Sequence, residues 1–234
     1  MPKPDAGRRQ ALFDADARLS WVLAALAGLI GAAAFTHTAG YFVTFMTGNT
    51  ERAVLGYFRD EPDMAAAALA LILSFVAGVV VASWCRRHYW TRHPHGPTLL
   101  TTVCLAVGAG TDLAVYQTNP DDIDFVPILF VAFGVGALNT SFIKNDEVSV
   151  PLSYVTGTLV KMGQGIERHA SGGDYADWLG YFLLYATFAL GALAGGLLGL
   201  LVAGWAMLIT ATLVCLAVTG YTYLHLDRHG PFEE

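Results

Sequence analysis

Two short segments hold the residues whose types and spacing are best suited to binding a small polar molecule. They are Thr47-Gly48-Asn49 and Thr156-Gly157-Thr158, in each of which a hydroxyl residue is followed by glycine and a second polar residue. Glycine is less favourable than alanine in a helix interior by about 1 kcal/mol, and a polar side chain beside it can cap a new helix. The triplets therefore predict two helix beginnings that present free N–H groups, hydroxyls and an amide to a polar site.

The triplets belong to a longer internal similarity. In 44–52 and 153–161 a hydroxyl residue, two apolar residues, Thr-Gly, a polar residue and a later basic residue follow in the same order, and Gly56 and Gly165 lie at the same offset. An apolar stretch too short to cross a bilayer precedes each triplet, and a helix-forming stretch follows it. Two interpretations stay open: helix breaks that meet at a common centre inside the membrane, or caps of surface helices.

Three further polar residues stand in or beside apolar runs. A charge at the centre of a bilayer costs about 3 kcal/mol, so we expect Asp112 to face protein or water and to bind a proton or cation. The alternative for Asp112 is a carboxylate at the membrane interface. His37, between two threonines, is a second candidate for ion or proton coupling, and the alternative for it is a histidine that packs within the protein. Asn139, near the end of another run, is expected to contact a polar solute.

The elements that position these residues must be membrane helices. Of the 234 residues 55% are hydrophobic and 14% charged, with a mean hydropathy of +0.50, whereas a soluble domain has about 25% charged residues. This composition excludes most soluble enzymes, and the net charge of −6 disfavours a nucleic-acid partner. The three cysteines lack metal-ligand spacing, so neither a disulfide framework, a metal site nor a cofactor is expected.

Six transmembrane spans are predicted, because about 20 apolar residues are needed to cross the hydrocarbon core. The apolar runs are Leu19–Thr50, Met64–Cys85, Gly96–Thr118, Phe125–Ile143 and Trp178–Leu226, the last long enough for two helices that turn near Ala203–Gly204. The expected organisation is a tail at 1–18, a first three-helix repeat at 19–118, a second at 124–226 and a tail at 227–234.

The number of spans between the triplets fixes their relative direction. Three spans separate them, so the two copies enter from opposite faces of the membrane, as in an inverted-topology repeat. The predicted fold is therefore an all-α polytopic membrane protein whose six helices form two inverted three-helix repeats with short broken or re-entrant segments.

The basic residues predict the orientation. Cytoplasmic loops carry an excess of Lys and Arg, and here Arg52 and Arg59 fall on one predicted side and eleven basic residues on the other. The eleven are Lys3, Arg8, Arg9, Arg18, Arg86, Arg87, Arg92, Lys144, Lys161, Arg168 and Arg228. Both termini are therefore expected on the cytoplasmic side of a bacterial inner membrane, in contact with its lipid.

A glycine stripe in the fifth predicted span could serve either of two contacts. Gly191, Gly195 and Gly199 recur every four residues and lie on one helix face, which lets another helix approach closely. Packing within the chain is the default interpretation, and a homodimer seam is the alternative.

The first triplet with its flanks, Phe42-Val43-Thr44-Phe45-Met46-Thr47-Gly48-Asn49-Thr50, resembles the YoaK family, together with Val155-Thr156-Gly157-Thr158-Leu159 in the second half. Gly136-Ala137-Leu138-Asn139 is similar to the family's glycine-to-asparagine element. These bacterial multi-pass membrane proteins carry a domain of unknown function, so the resemblance implies a fold and a location but no substrate. The family usually has an acidic residue in the first span, where this chain has Gly31-Ala32-Ala33-Ala34.

The sequence favours a small transporter or channel for a polar solute, anions included, because opposed helix N-termini attract negative charge. The alternative is a non-transporting membrane protein with a structural or regulatory role. The chain has no Walker loop, nucleophile elbow or dinucleotide fingerprint, and no enzymatic activity is expected.

Overall fold

The computed structural model describes residues 12–37, 40–90, 95–118, 125–144, 147–148, 150 and 152–225. The tail at 227–234 and most of the tail at 1–18 lie outside these residues. The described helices are α1 (Ala15–His37), α2 (Met46–Phe58), α3 (Pro62–His88), α4 (Gly96–Thr118), α5 (Val126–Leu138), α6 (Val155–Ala170), α7 (Ala176–Leu201) and α8 (Gly204–His225). Two short antiparallel strands, β1 (Ile143–Lys144) and β2 (Glu147–Val148), join α5 to α6, with Ile143 opposite Val148.

Five of the helices are long and apolar enough to cross a membrane, namely α1, α3, α4, α7 and α8. The predicted turn near Ala203–Gly204 is confirmed, because α7 ends at Leu201 and α8 begins at Gly204. The predicted span Phe125–Ile143 is shorter than expected: α5 has 13 residues, which rise about 20 Å against a hydrocarbon core of about 30 Å. The arrangement of six full spans is therefore not confirmed.

The early end of α5 has a local cause. The N–H groups of Thr140 and Ser141 donate to the carbonyls of Ala137 and Leu138, at 3.0 and 3.1 Å. These hydrogen bonds from residue i to residue i−3 tighten and close the last turn. The chain then enters the β1–β2 hairpin instead of continuing as a helix.

The long apolar run Leu19–Thr50 is divided between two helices. Its first helix, α1, ends at His37, and its second, α2, begins at Met46. Gly40 lies between them with φ of +99°, a left-handed conformation that favours glycine, and its N–H donates to the Phe35 carbonyl at 3.1 Å. The break expected from the sequence before the first triplet is therefore present.

Glycines bring α1 and α7 into close contact along their lengths. A Cβ atom on Gly191 or Gly195 of α7 would overlap the backbone of Ala25 or Leu29 in α1, and one on Gly28 would overlap α7 in return. Packing within the chain, the default interpretation of the stripe, accounts for Gly191 and Gly195. Gly199 lies against the Thr36 side chain, also in α1.

A second close pair is formed by α3 and α5. A Cβ atom on Gly78 of α3 would overlap the Phe133 carbonyl, and one on Gly136 of α5 would overlap the Phe75 carbonyl. Helix α5 also packs on α4 and α1, and nine of its residues are buried. Further contacts join α2 to α3, α6 to α7, α4 to α8 and α1 to α8, and smaller ones join α3 to α4 and α7 to α8. Helix α5 therefore lies near the centre of the bundle.

Candidate functional site

The two triplets form the first turns of the short helices α2 and α6. The residue before each helix is aromatic, Phe45 for α2 and Tyr154 for α6, and neither supplies a side-chain cap. Their carbonyls accept the N–H groups of Asn49 and Thr158, at 3.2 and 3.3 Å. The prediction that the triplets' own polar side chains cap these helices is therefore wrong. In both helices the earlier N–H groups of the first turn lack intrahelical acceptors.

The glycine of each triplet makes room for that aromatic ring. A Cβ atom on Gly48 would lie 2.7 Å from Cε1 of Phe45, and one on Gly157 would lie 2.5 Å from Cδ1 of Tyr154. Ordinary van der Waals contact begins near 3.4 Å, so a side chain at either position would displace the ring. The glycines are explained by this packing and not by a break inside a helix.

The first turns of α2 and α6 meet at one cavity of about 710 Å³, here called the central cavity. Thr47 of α2 and Thr156 of α6 both line it, although they are far apart in sequence. Its walls come from α1, α3 and α7, through residues that include Gly28, Phe75 and Phe188. A volume of this size is typical of small-molecule sites.

The lining of the central cavity combines hydroxyl groups with aromatic rings. The described polar side chains are Thr36, Thr44, Thr47, Asn139, Thr140, Ser153 and Thr156, and the rings are Phe35, Phe42, Phe45, Phe75, Tyr154 and Phe188. The hydroxyls of Thr36, Thr140 and Ser153 already donate hydrogen bonds within the protein. The hydroxyls of Thr44, Thr47 and Thr156, together with the free N–H groups of two helix N-termini, can donate hydrogen bonds to an acceptor group. The rings suit an apolar part of the same molecule.

Asn139 holds the segment that leads into α6. Its Oδ1 accepts hydrogen bonds from the Ser153 N–H and hydroxyl, both at 3.1 Å, and its Nδ2 donates to the Val135 carbonyl at 2.9 Å. The side chain is buried and lines the central cavity. Its contact with a solute stays a prediction. It therefore connects the end of α5 to the start of α6.

A second cavity of about 570 Å³ lies on the other side of the first turn of α6. Gly157, Thr158 and Lys161 line it, and so do charged residues of neighbouring helices, among them Asp177. Arg168 donates from Nε to Oδ2 of Asp177 at 3.3 Å. The Lys161 ammonium lies 5.8 Å from the centre of the Tyr181 ring, within the range of a cation–π interaction.

The predicted triplet residues therefore separate into three groups. Thr47 and Thr156 line the central cavity, whereas Gly157 and Thr158 line the second cavity. Gly48 and Asn49 line neither cavity. The Asn49 side chain is fully buried and donates from Nδ2 to the Phe42 carbonyl, and its Oδ1 has no hydrogen-bond partner among the described residues.

Of the two residues proposed for ion coupling, the structure describes the side chain of Asp112 alone. Asp112 is buried within α4 and lines neither of the two cavities. His37 is the last residue of α1, and its side chain lies outside what the structure describes. Across the described part of the chain, no group of three or more His, Cys, Asp or Glu side chains could hold a metal ion.

The aromatic residues Phe45 and Tyr154 were missed as site residues in the sequence. Both stand three positions before the glycine of a triplet, and this shared position was the available signal. In the internal similarity of 44–52 and 153–161 they stand only as apolar residues. Their part in the site depends on the first-turn geometry, which brings residue i onto the glycine at i+3.

Long apolar helices packed side by side, five of them long enough to cross a membrane, define this chain as a helical, multi-pass integral membrane protein. It belongs to the DUF1275 family, described as proteins of unknown function, whose sequence pattern matches residues 19–221. It is 28% identical over 163 residues to UPF0700 transmembrane protein RA0705 of Rhizobium meliloti (strain 1021), and the match covers 68% of this chain and 65% of that relative. No solved structure matches the chain.

Proposed function

We propose that this protein is a transporter or channel for a small polar solute, anions included, that occupies the central cavity. One observation carries the proposal: the first turns of two short helices, one from each half of the chain, line the same cavity through Thr47 and Thr156. Discontinuous helices that meet at a shared site are typical of secondary transporters. We assign the chain no enzymatic role and no cofactor.

The chemistry of the lining suggests the kind of solute. Free N–H groups at a helix N-terminus and the helix dipole favour an acceptor, such as a carboxylate, over a cation. The hydroxyls of Thr47 and Thr156 can add hydrogen bonds, while the surrounding rings favour an apolar body. We therefore expect an organic solute with one acceptor group to bind better than a small hydrated ion.

We further propose that residues 19–118 and 124–226 are two inverted three-helix repeats. Exchanging the halves pairs α1 with α5, α2 with α6, α3 with α7 and α4 with α8. The contact of α2 with α3 then corresponds to that of α6 with α7, and the contact of α1 with α7 corresponds to that of α5 with α3. The two first turns also correspond to each other: the Phe45 ring lies on Gly48 in α2, and the Tyr154 ring lies on Gly157 in α6.

Two more equivalent contacts support the repeat. Gly56 of α2 lies against the start of α3, where its Cβ would be 2.9 Å from the Ala65 nitrogen, and Gly165 of α6 lies against the start of α7 in the same way. Thr44 lies against Gly31 of α1, and its equivalent Ser153 donates to Asn139 at the end of α5. We also propose that the chain is related to the YoaK proteins, which these segments resemble.

For the setting we propose the inner membrane of a bacterium, with both termini cytoplasmic. The support is the distribution of Lys and Arg, which leaves only Arg52 and Arg59 on the predicted outer side.

Asp112 is our candidate for ion or proton coupling, because it is a carboxylate buried within a span. His37 remains a candidate on the sequence alone. A homodimer through Gly191, Gly195 and Gly199 is proposed only as the alternative to the packing of this stripe on α1 within the chain.

Purified protein reconstituted in liposomes tests the function. A panel of organic acids and neutral polar solutes is screened for flux and for thermal stabilisation, first with the unmodified chain. Thr47→Val and Thr156→Val remove a hydroxyl from the cavity with little change in volume, and a lost hydrogen bond costs about 1 kcal/mol. Each should weaken binding several-fold, whereas Thr50→Val, one turn away and outside the cavity, should not.

The outcomes separate the two functional classes. Flux or stabilisation that falls in both cavity variants supports a solute site between the repeats. Neither flux nor stabilisation across the panel would favour a non-transporting membrane protein with a structural or regulatory role.

A further inference from the structure

Tyr154 lies on the boundary between the central cavity and the second cavity. It lines both of them, while the residues that follow it divide: Val155 and Thr156 line the central cavity, and Gly157 and Thr158 line the second one. The first turn of α6 is therefore part of the wall between the two spaces. Tyr154 is 60% exposed, so much of it faces open space and is not packed against protein.

The backbone beneath the Tyr154 ring is fixed, but the ring itself has room to move. The Tyr154 carbonyl accepts hydrogen bonds from both the N–H and the hydroxyl of Thr158, at 3.3 and 3.2 Å. Beyond the backbone, the ring rests on Gly157, which has no side chain to hold it in place. Exposed side chains change rotamer on fast timescales, so this ring can turn about its own bonds without a change in α6.

From this placement we infer that Tyr154 is a gate whose ring closes the passage between the second cavity and the central cavity. With the ring on Gly157, the two cavities are separate; with the ring turned away, they join. The second cavity then becomes the entrance on the side of α6, and its Lys161 lies near the path of an entering solute. A gate at Tyr154 rests on the proposed function and would control access of the solute to the central cavity from one side.

The other half of the chain carries a counterpart at the equivalent position. Phe45 lines the central cavity, rests on Gly48 and is 43% exposed. Its ring meets the Phe42 ring edge to face at 5.3 Å, and the Arg52 guanidinium lies 5.3 Å from the centre of the same Phe42 ring. A basic residue thus stands one turn beyond the glycine in both copies, Arg52 in the first and Lys161 in the second.

Cysteine labelling tests the gate without knowledge of the solute. In a chain lacking Cys85, Cys104 and Cys215, a single cysteine replaces Thr47, which lines the central cavity from α2. A small charged methanethiosulfonate reagent is added to sided membrane vesicles from the face on which the second cavity opens. That face is identified by a separate Lys161→Cys chain, whose cysteine lies in the second cavity.

Removing the ring should open the path to the reporter. We expect Tyr154→Ala to speed modification of the Thr47→Cys reporter about tenfold, equivalent to about 1.4 kcal/mol of barrier. Tyr154→Phe, which keeps the ring, should leave the rate unchanged. The Lys161→Cys chain should react at the same rate with Tyr, Phe or Ala at position 154, because its path does not pass the ring.

Equal Thr47→Cys rates in the Tyr154, Tyr154→Phe and Tyr154→Ala chains would overturn the gate. Tyr154→Leu serves as the second variant if Tyr154→Ala does not fold, and it should give a rate between those of Tyr154→Phe and Tyr154→Ala. A Tyr154→Leu rate equal to that of Tyr154→Phe would likewise overturn the gate. Labelling needs no transported solute, so a failed flux assay and a failed gate are distinguishable results.

Discussion

The contact between α1 and α7 gives the sharpest test of the packing, because two glycines of α7 differ in what a methyl group would meet. A Cβ atom on Gly191 would lie 2.6 Å from the carbonyl carbon of Ala25, against 3.4–4 Å for ordinary contact, whereas a Cβ atom on Gly196 meets nothing within 4 Å. The Ala25 carbonyl oxygen lies closer still to the Cβ on Gly191. Backbone cannot rotate aside as a side chain can. Gly191→Ala must therefore push the helices apart by about 1–1.5 Å in a tightly packed interface.

The magnitude follows from comparing these two variants. Both gain the same helix propensity, about 1 kcal/mol, when glycine becomes alanine. Overpacking costs about 1–3 kcal/mol, and only Gly191→Ala incurs it. We therefore expect Gly191→Ala to be less stable than Gly196→Ala by about 1–3 kcal/mol, while Gly196→Ala is at least as stable as the unmodified chain.

Unfolding by a denaturing detergent, followed by tryptophan fluorescence, measures the free energy of unfolding of each variant. Size-exclusion chromatography of the same samples gives the oligomeric state. If Gly191→Ala is as stable as Gly196→Ala, the close α1–α7 contact is refuted. A change from dimer to monomer in Gly191→Ala without loss of stability would instead favour the homodimer seam.

Three further predictions address Asn139, Asp112 and the topology. Asn139→Ala should destabilise the protein by about 2–3 kcal/mol, because it leaves the Ser153 N–H and hydroxyl unpaired; Asn139→Asp keeps the acceptor oxygens and should lose less in the same unfolding assay. Asp112→Asn should leave the protein folded and abolish any pH or sodium dependence of solute binding, and an unchanged profile would remove Asp112 from the coupling proposal. Reporter fusions at positions 93 and 121 should give cytoplasmic and external signals respectively, and the reverse result would overturn both the orientation and the inverted repeat.

The sequence by itself determined that this protein lies in a membrane, and it determined most of its long helices. Helix α4 has the bounds of the predicted run Gly96–Thr118, and the run Trp178–Leu226 divides where it was expected to. These features depend on the hydropathy of about 20 consecutive residues, because a spanning helix satisfies its own backbone hydrogen bonds and needs no partner. The internal similarity of the two triplets was also visible in the sequence, since it depends only on residue order.

Only the tertiary structure decided what the triplets do. Thr47 and Thr156 share one cavity, Gly157 and Thr158 line another, and Asn49 is buried away from both. These positions depend on how α2 and α6 pack on the long helices. Contacts between residues more than 100 positions apart are set by helix directions and side-chain shapes that no local pattern contains. The same reason explains Tyr154: its sequence neighbours identify an apolar position, but two separate cavities must exist before a ring can lie between them.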